Sequence, residues 1–328
     1  MSQHRPRIAL TLGDPAGIGP ELIARVLSRP GVLDDNDVTL LADRAEVDQA
    51  FADARLPVVQ MSAEPRAGAV TLLDDASAPT TRIPVREVSQ AAGERAMHQL
   101  RRAVDLAREG RVGAIVFAPL NKTSLHLAGM QEEDELRWFA KELGHQGTTS
   151  ELNVLDGLWT ARVTSHIPIS AVAARITPES VRATIRLLHD VLRDAGIEPR
   201  LGVCALNPHA GENGNFGREE IDAIAPGVQA AAGEGIDVRG PFPSDTIFLA
   251  ARRGDFNGVV TMYHDQGQIA MKLIGFSGAV TIQGGLPVSI ATPAHGTAFE
   301  IVGQGKADPT STANAFDIAA AVAGRQGA

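Results

Sequence analysis

The chain has 328 residues, enough for two domains with substantial cores, and 44% of them are hydrophobic, a globular rather than a disordered composition. Its net charge of −9 argues against the basic field that nucleic acid requires, and 4% aromatic residues, with Tyr263 the sole tyrosine, argue against base-stacking platforms. No apolar stretch reaches the roughly 20 residues that span a bilayer, and no signal-peptide-like run precedes the first strand, so a cytoplasmic protein with neither membrane nor nucleic-acid partners is expected.

In chain order, strand-like and helix-like segments alternate. Residues 7–12 form a β-rich run, and 20–29 read as a helix with Pro20 in its first turn. Residues 37–42 predict a strand and 46–54 a helix. The spacing of Ala92, Ala96, Leu100, Ala103, Val104 and Ala107 predicts a long amphipathic helix over 89–109. A strand at 114–117 stops at Pro119. Further on, strands are expected at 160–163, 201–206, 259–262 and 279–282. Helices are expected at 178–194, 218–232 (with a break at Pro226), 266–274 and 310–323. The lone cysteine, Cys204, sits in the apolar run Leu201–Leu206 and reads as a buried small hydrophobe. Such alternation implies an α/β fold with a largely parallel sheet covered on both faces, and such sheets bind ligands at the carboxyl ends of strands.

The chemically loaded residues fall just after strands. Gly13-Asp-Pro-Ala-Gly-Ile-Gly-Pro20 is a glycine-rich loop leading into a helix, suited either to a tight turn or to an anion; it is neither a dinucleotide-binding GxGxxG nor a P-loop. Asn121 and Lys122 follow the 114–117 strand and offer a helix start or a carboxylate contact. His166, His209 and His264 each follow a predicted strand. If those strands share one parallel sheet, the three imidazoles converge at its edge as an open divalent-metal site; otherwise each is an isolated polar residue. Asp245 and Asp265 could orient such ligands, Asp245 equally as a helix cap. Finally, His295-Gly-Thr-Ala298 and Asn314 stand before and within the last helix, either contacting a nucleotide or simply forming a loop.

Taken together, Gly13–Glu21, Ala118–Lys122, Asn207–Glu212, His264–Gly267 and His295–Ala298 closely resemble the 4-hydroxythreonine-4-phosphate dehydrogenase family of pyridoxal-phosphate synthesis. His295–Ala298 is also similar to the adenosine-binding loop of the isocitrate and isopropylmalate dehydrogenases. The resemblance implies a two-domain isocitrate/isopropylmalate dehydrogenase-like α/β/α sandwich, with residues 1–126 plus 286–328 carrying the nucleotide loop and 127–285 forming a metal- and dimer-forming domain. It implies a divalent metal on His166, His209 and His264, for which three neutral imidazoles suit zinc. It also implies a homodimer whose active site is shared between subunits, and NAD or NADP bound by His295, Gly296, Thr297, Ala298 and Asn314. Lys272 matches a substrate-contacting lysine and, with Asp245 and Asp265, completes the expected catalytic set.

The expected reaction is oxidation of a secondary alcohol on a small carboxylated substrate, with decarboxylation. Where the family holds a phosphate ester with His and Thr, this chain aligns Glu133 and Asp134; the family's substrate-contacting Asn and Arg align with Thr281 and Ile290. These departures disfavour a dianionic phosphate, including that of a phosphorylated four-carbon sugar acid. They predict an altered substrate touching Glu133, Asp134, Lys272 and Thr281. The alternatives are a cis-dihydrodiol dehydrogenase of an aromatic acid such as terephthalate, a metal-dependent decarboxylase, and a non-catalytic metabolite-binding protein.

Overall fold

A computed structural model describes residues 5–79, 83–275 and 277–326. The chain divides into two compact units, Met1–Gln146 with Leu286–Ala328, and Gly147–Gly285. The first unit opens with β1 (Arg7–Thr11), α1 (Gly19–Leu27), a short α2 (Val32–Asp35), β2 (Asp37–Leu41), α3 (Arg44–Ala54), β3 (Met61–Ser62) and β4 (Val70–Leu72). It continues through α4 (Gln90–Arg108), β5 (Ala114–Phe117), α5 (Lys122–Leu127) and α6 (Glu135–Glu142). The second unit holds β6 (Ser150–Leu155), β7 (Leu158–Arg162), α7 (Pro178–Asp194), β8 (Leu201–Cys204), α8 (Ala225–Gly233), β9 (Val238–Phe242), α9 (Ser244–Arg252), β10 (Gly258–Thr261), α10 (His264–Ile274) and β11 (Val280–Gly284). The chain then returns to the first unit with β12 (Ser289–Pro293) and α11 (Thr310–Gln326).

In the first unit the strand order is β3-β4-β2-β1-β5-β12, parallel throughout. A strand covered on both faces needs no polar alternation, which is why Ile8-Ala-Leu10 and Ala114–Phe117 read as continuous apolar runs. Helix α4 starts at Ser89, whose side chain accepts the Ala92 N–H at 3.2 Å, and buries the stripe from Ala92 to Val104 that its spacing predicts.

The second unit departs from the parallel expectation. Its order is β11-β6-β7-β10-β8-β9, with β6 antiparallel to both neighbours and the rest parallel. The cause is local: Asp156 and Gly157 take φ of 49° and 80°, the two-residue turn whose twist closes a hairpin between β6 and β7. Helix α7 has the predicted bounds because Thr177 and Ser180 cap each other reciprocally and Pro178 occupies the first position. The expected break at Pro226 is absent. A π-helical turn, Glu220–Ile224, runs directly into α8, so the segment changes its winding just before Pro226, the residue that has no N–H to donate, instead of breaking there. No described helix is long and apolar enough to cross a membrane.

The first unit extends past the strand end at Phe117 to Gln146 because α6 belongs to its core. Fully buried Phe139 lies 5.6 Å, centroid to centroid, from Phe117 and packs in one cluster with Trp138, Met97 and Leu100. Truncating a buried phenylalanine leaves a cavity as well as losing apolar transfer. Phe139→Ala should therefore cost about 3–5 kcal/mol, read as a lowered denaturation midpoint. An unchanged midpoint would show that α6 contributes nothing to this core.

Candidate active site

The three predicted histidine-bearing strands are neighbours. β7, β10 and β8 lie side by side and parallel, so the residues that follow them leave the sheet on one edge. Pairing continues beyond the strands: Val163 N donates to Thr261 O at 2.9 Å, Thr164 N to Met262 O at 3.1 Å, and Thr164 Oγ1 to the same oxygen at 2.7 Å. That register places His166 against His264, ring centroids 5.6 Å apart. Asp265 Oδ1 lies 2.8 Å from His264 Nδ1, which orients the ring and leaves Nε2 for another partner. Thr164, Ser165, His166, Ile169, Tyr263 and His264 line a pocket of about 330 Å³.

His209 does not join this pair. After β8 the chain passes Asn207-Pro208 into five successive left-handed residues, His209 to Asn213, with φ between 43° and 78°. L-residues disfavour that conformation by about 1–2 kcal/mol each, so the surroundings must hold the turn. The His209 side chain is 73% exposed, its Nδ1 3.7 Å from Glu212 Oε2. Among the described residues, no group of three or more His, Cys, Asp or Glu stands close enough to hold a metal ion. One chain thus brings two of the three predicted ligands together.

Two residues that the sequence reading missed organise this edge. Gln266 accepts the Met262 N–H at 2.6 Å and donates at 2.7 Å both to Ala205 O and to Ser244 Oγ, tying the ends of β10 and β8 to the start of α9. Glu220, buried on the π-helical turn, accepts the N–H groups of Leu206 and Asn207 at 2.8 and 2.7 Å and the Asn207 amide at 3.0 Å. Gln266 stands inside the His264–Gly267 segment on which the family resemblance rests. Glu220 had no local signal beyond a pair of acids on an expected helix.

Asp245 is exposed in the first turn of α9, which is capped by no side chain. Lys272 is exposed near the end of α10. Thr281 Oγ1 accepts from Asn153 Nδ2 at 3.3 Å, while Asn153 Oδ1 receives Gln268 at 2.7 Å and Arg162 at 3.2 Å. Arg162 is in turn paired with Glu151. Thr281 therefore belongs to a polar network on the sheet face covered by α10, the helix that carries His264 and Lys272. Cys204 is fully buried, and desolvation pushes its thiol well above the ordinary range, so it is no nucleophile.

In the first unit, the loop at 13–20 docks on the loop at 295–298. Ile18 N donates to Thr297 O at 3.0 Å, and a Cβ on Gly17 would lie 2.7 Å from Thr297 Cβ, so only glycine permits this approach. Buried Glu21 accepts Ala307 N at 3.0 Å and pairs with Arg25, anchoring the segment that leads into α11. Ala298 is left-handed at φ 42°, His295 Nδ1 lies 3.0 Å from Gly296 O, and Asn314 is exposed on α11. A pocket of about 280 Å³ opens beside this junction, lined by Pro15, Gly17, Gln49, Asp53, Val85 and Val302. Asn121 is the helix start, accepting Ser124 N at 3.0 Å to cap α5.

Glu133 and Asp134, which from the sequence disfavour a phosphate, are committed elsewhere, as is neighbouring Glu132. Asp134 is buried as the N-cap of α6, accepting Arg137 N at 2.8 Å and pairing with the Arg137 guanidinium. Glu133 reaches the same guanidinium at 3.3 Å, and Glu132 bonds Lys141, which holds its carboxyl below the usual range. Ile290 is fully buried in the core of the first unit. The negative charge of Glu132, Glu133 and Asp134 is therefore largely compensated.

The family described as "Pyridoxal phosphate biosynthetic protein PdxA" matches residues 31–319. The chain belongs to the PdxA family. A Pseudomonas aeruginosa relative, provisionally named 4-hydroxythreonine-4-phosphate dehydrogenase 2, is 52% identical over 96% of each chain. The D-threonate 4-phosphate dehydrogenase of Cupriavidus necator is 39% identical over 99% of this chain and 100% of its own. Among solved structures, the 4-hydroxythreonine-4-phosphate dehydrogenase of Klebsiella pneumoniae superposes with a TM-score of 0.84 at 35% identity, covering 98% of this chain and 99% of that one. A terephthalate 1,2-cis-dihydrodiol dehydrogenase from Burkholderia xenovorans does so at 0.70 and 30%, covering 94% and 95%. Membership of this PdxA family of dehydrogenases makes the chain an oxidoreductase acting on a CH–OH group. Its fold is that of the isocitrate dehydrogenase-like group, as a β-decarboxylating dehydrogenase from Thermococcus kodakarensis also shows by its shape (TM-score 0.51, 17% identity, 94% and 80% covered).

Asp14 of the PdxA-family loop is 1% exposed, and burial raises its pKa against the lowering effects of the Ala16 N–H and Ser124. A raised folded-state pKa means the folded chain binds this proton more tightly than the unfolded one. The contribution of this group to stability is then full at low pH and falls as pH rises from the ordinary carboxylate value through the raised one. Asp14→Asn keeps the acceptor for Ala16 and removes the charge. Its unfolding temperature, followed by calorimetry from pH 4 to 8, should gain on that of the parent as pH rises; parallel profiles would refute a buried, desolvated carboxylate.

Proposed function

We propose that this PdxA-family chain oxidises the secondary alcohol of a small hydroxy acid, with NAD or NADP as hydride acceptor and a divalent cation, zinc for preference, held by His166, His209 and His264. The observation that carries the reading is the His166–His264 pair at the carboxyl edge of parallel strands, with the second ring oriented by Asp265. Two neutral imidazoles so placed fit part of one ion's donor set. For the third, we place His209 from a second copy of the chain. Its side chain projects into solvent, and exposed Ile167, Ile169, Ile269 and Leu273, on the pocket wall and on α10, offer an apolar face for that copy to cover.

When bound, the cation would supply the charge that makes the substrate hydroxyl acidic, and the dinucleotide would supply the hydride acceptor. The chain's own groups do the rest. Asp265 fixes the tautomer of His264. Lys272 neutralises a substrate carboxylate or relays the hydroxyl proton, and Asp245 is a further acidic group at the start of α9. Thr281 contacts substrate from the network it shares with Asn153. In the first unit, His295, Gly296, Thr297, Ala298 and Asn314 hold the dinucleotide, with the pocket beside Gly17 suited to its adenosine end. A hydroxy acid oxidised at the carbon β to its carboxylate becomes a β-keto acid and loses CO₂.

Because Glu133 and Asp134 are already paired with Arg137, a phosphorylated hydroxy acid like those in the relatives' names remains the first substrate to test. The second reading, an aromatic-acid cis-dihydrodiol, is favoured by Thr281 and buried Ile290, which offer a phosphoryl group no cation. NADH formation with 4-phospho-D-threonate, 4-phosphohydroxythreonine and a terephthalate cis-dihydrodiol, each with and without chelator, decides between them. We expect turnover of a phosphorylated acid, abolished by chelator; dihydrodiol turnover alone would select the second reading. Dinucleotide binding without turnover of any would leave a metabolite-binding protein.

His209→Ala and His264→Ala should each be inactive. Mixed and reassociated, they should recover roughly a quarter of parental activity, since half the dimers would be hybrid and each hybrid has one intact site. No recovery, with reassociation confirmed, would place all three ligands in one subunit.

A further inference from the structure

We propose that Glu220 is a positioning residue that fixes the left-handed turn carrying His209, and so the direction in which that imidazole points. The inference rests on the reading of His209 as a metal ligand. Strand β8 ends at Cys204, so the N–H groups of Leu206 and Asn207 have no ladder partner. One oxygen of Glu220 takes both, at 2.8 and 2.7 Å, and the other takes the Asn207 amide at 3.0 Å. These donors immediately precede Pro208 and the left-handed run.

The same carboxylate underlies the middle of the turn. A Cβ on Gly211 would stand 2.6 Å from Glu220 Oε2. The π-helical turn that begins at Glu220 has a wider ring than an α-turn, and Glu220 is 3% exposed within it. Three donors converge on this one side chain, so the group must accept at every lone pair used. An ionised carboxylate does so; an amide would turn an N–H₂ towards at least one donor. Neighbouring Glu219 accepts from the Asn207 side chain, at 2.6 Å.

The test is Glu220→Gln in the full-length protein, stripped of metal and titrated with cobalt(II), whose visible absorption reports ligand number and geometry. We expect cobalt affinity to fall about 10- to 100-fold with an altered spectrum, kcat to drop, and KM for the dinucleotide and far-UV circular dichroism to stay at parental values. Glu219→Gln should bind cobalt within about twofold of the parent, since it spares the backbone donors. Should Glu220→Gln fail to fold, Gly211→Ala, which keeps the carboxylate but pushes the turn off it, should reproduce the cobalt phenotype. Parental cobalt binding by Glu220→Gln, or by Gly211→Ala in its stead, while His209→Ala loses it, would overturn the role of Glu220. Parental binding by His209→Ala itself would remove the metal reading and the proposal with it.

Discussion

The site depends on hydrogen bonds that continue the pairing of β7 and β10 past their last residues. Thr164 donates to Met262 O with both its backbone N–H and its hydroxyl, so two loops leave the sheet in register. That register is what sets His166 beside His264. Loop residues are ordinarily free to diverge after a strand, because nothing satisfies their backbone groups but water. Here they are tied to each other, and Gln266 ties the same edge to Ala205 and Ser244.

A second theme is the use of buried carboxylates as scaffolding. Glu220 serves the Leu206–Asn207 segment, Glu21 the segment before α11, Asp134 the start of α6, and Asp43 with Glu46 the buried guanidinium of Arg95. In each case an acid accepts several donors at once, which offsets the cost of its burial. Acidic residues in this PdxA-family chain therefore do not mark the substrate by their charge alone. Glu133 and Asp134 disfavour a phosphate when taken from the sequence, and in the fold they, with Glu132, instead cap a helix or pair with Arg137 and Lys141.

Helix caps, amphipathic stripes and apolar strands were legible in the chain because each is decided within a few residues: α7 from Thr177-Pro178, α4 from Ser89 and its alanine–leucine stripe, β5 from four apolar residues before Pro119. So was the placing of His166, His209 and His264 after strands. The antiparallel β6 was signalled by Asp156-Gly157, a turn pair that the expectation of a largely parallel sheet passed over. Short β3, β4 and α2 carried too few residues for a period to register.

By itself the sequence determined the α/β rhythm, the family, and the side chains available at strand ends. Tertiary structure decided which of them meet. Strand order puts β10 between β7 and β8, although β8 ends at Cys204 and β7 at Arg162, well before β10 begins at Gly258, and no local pattern encodes that neighbourhood. It also decided the handedness of the turn at 209–213 and the burial of Glu220 beneath it. Those follow from where distant backbone donors need an acceptor, a demand that arises only once the sheet has formed.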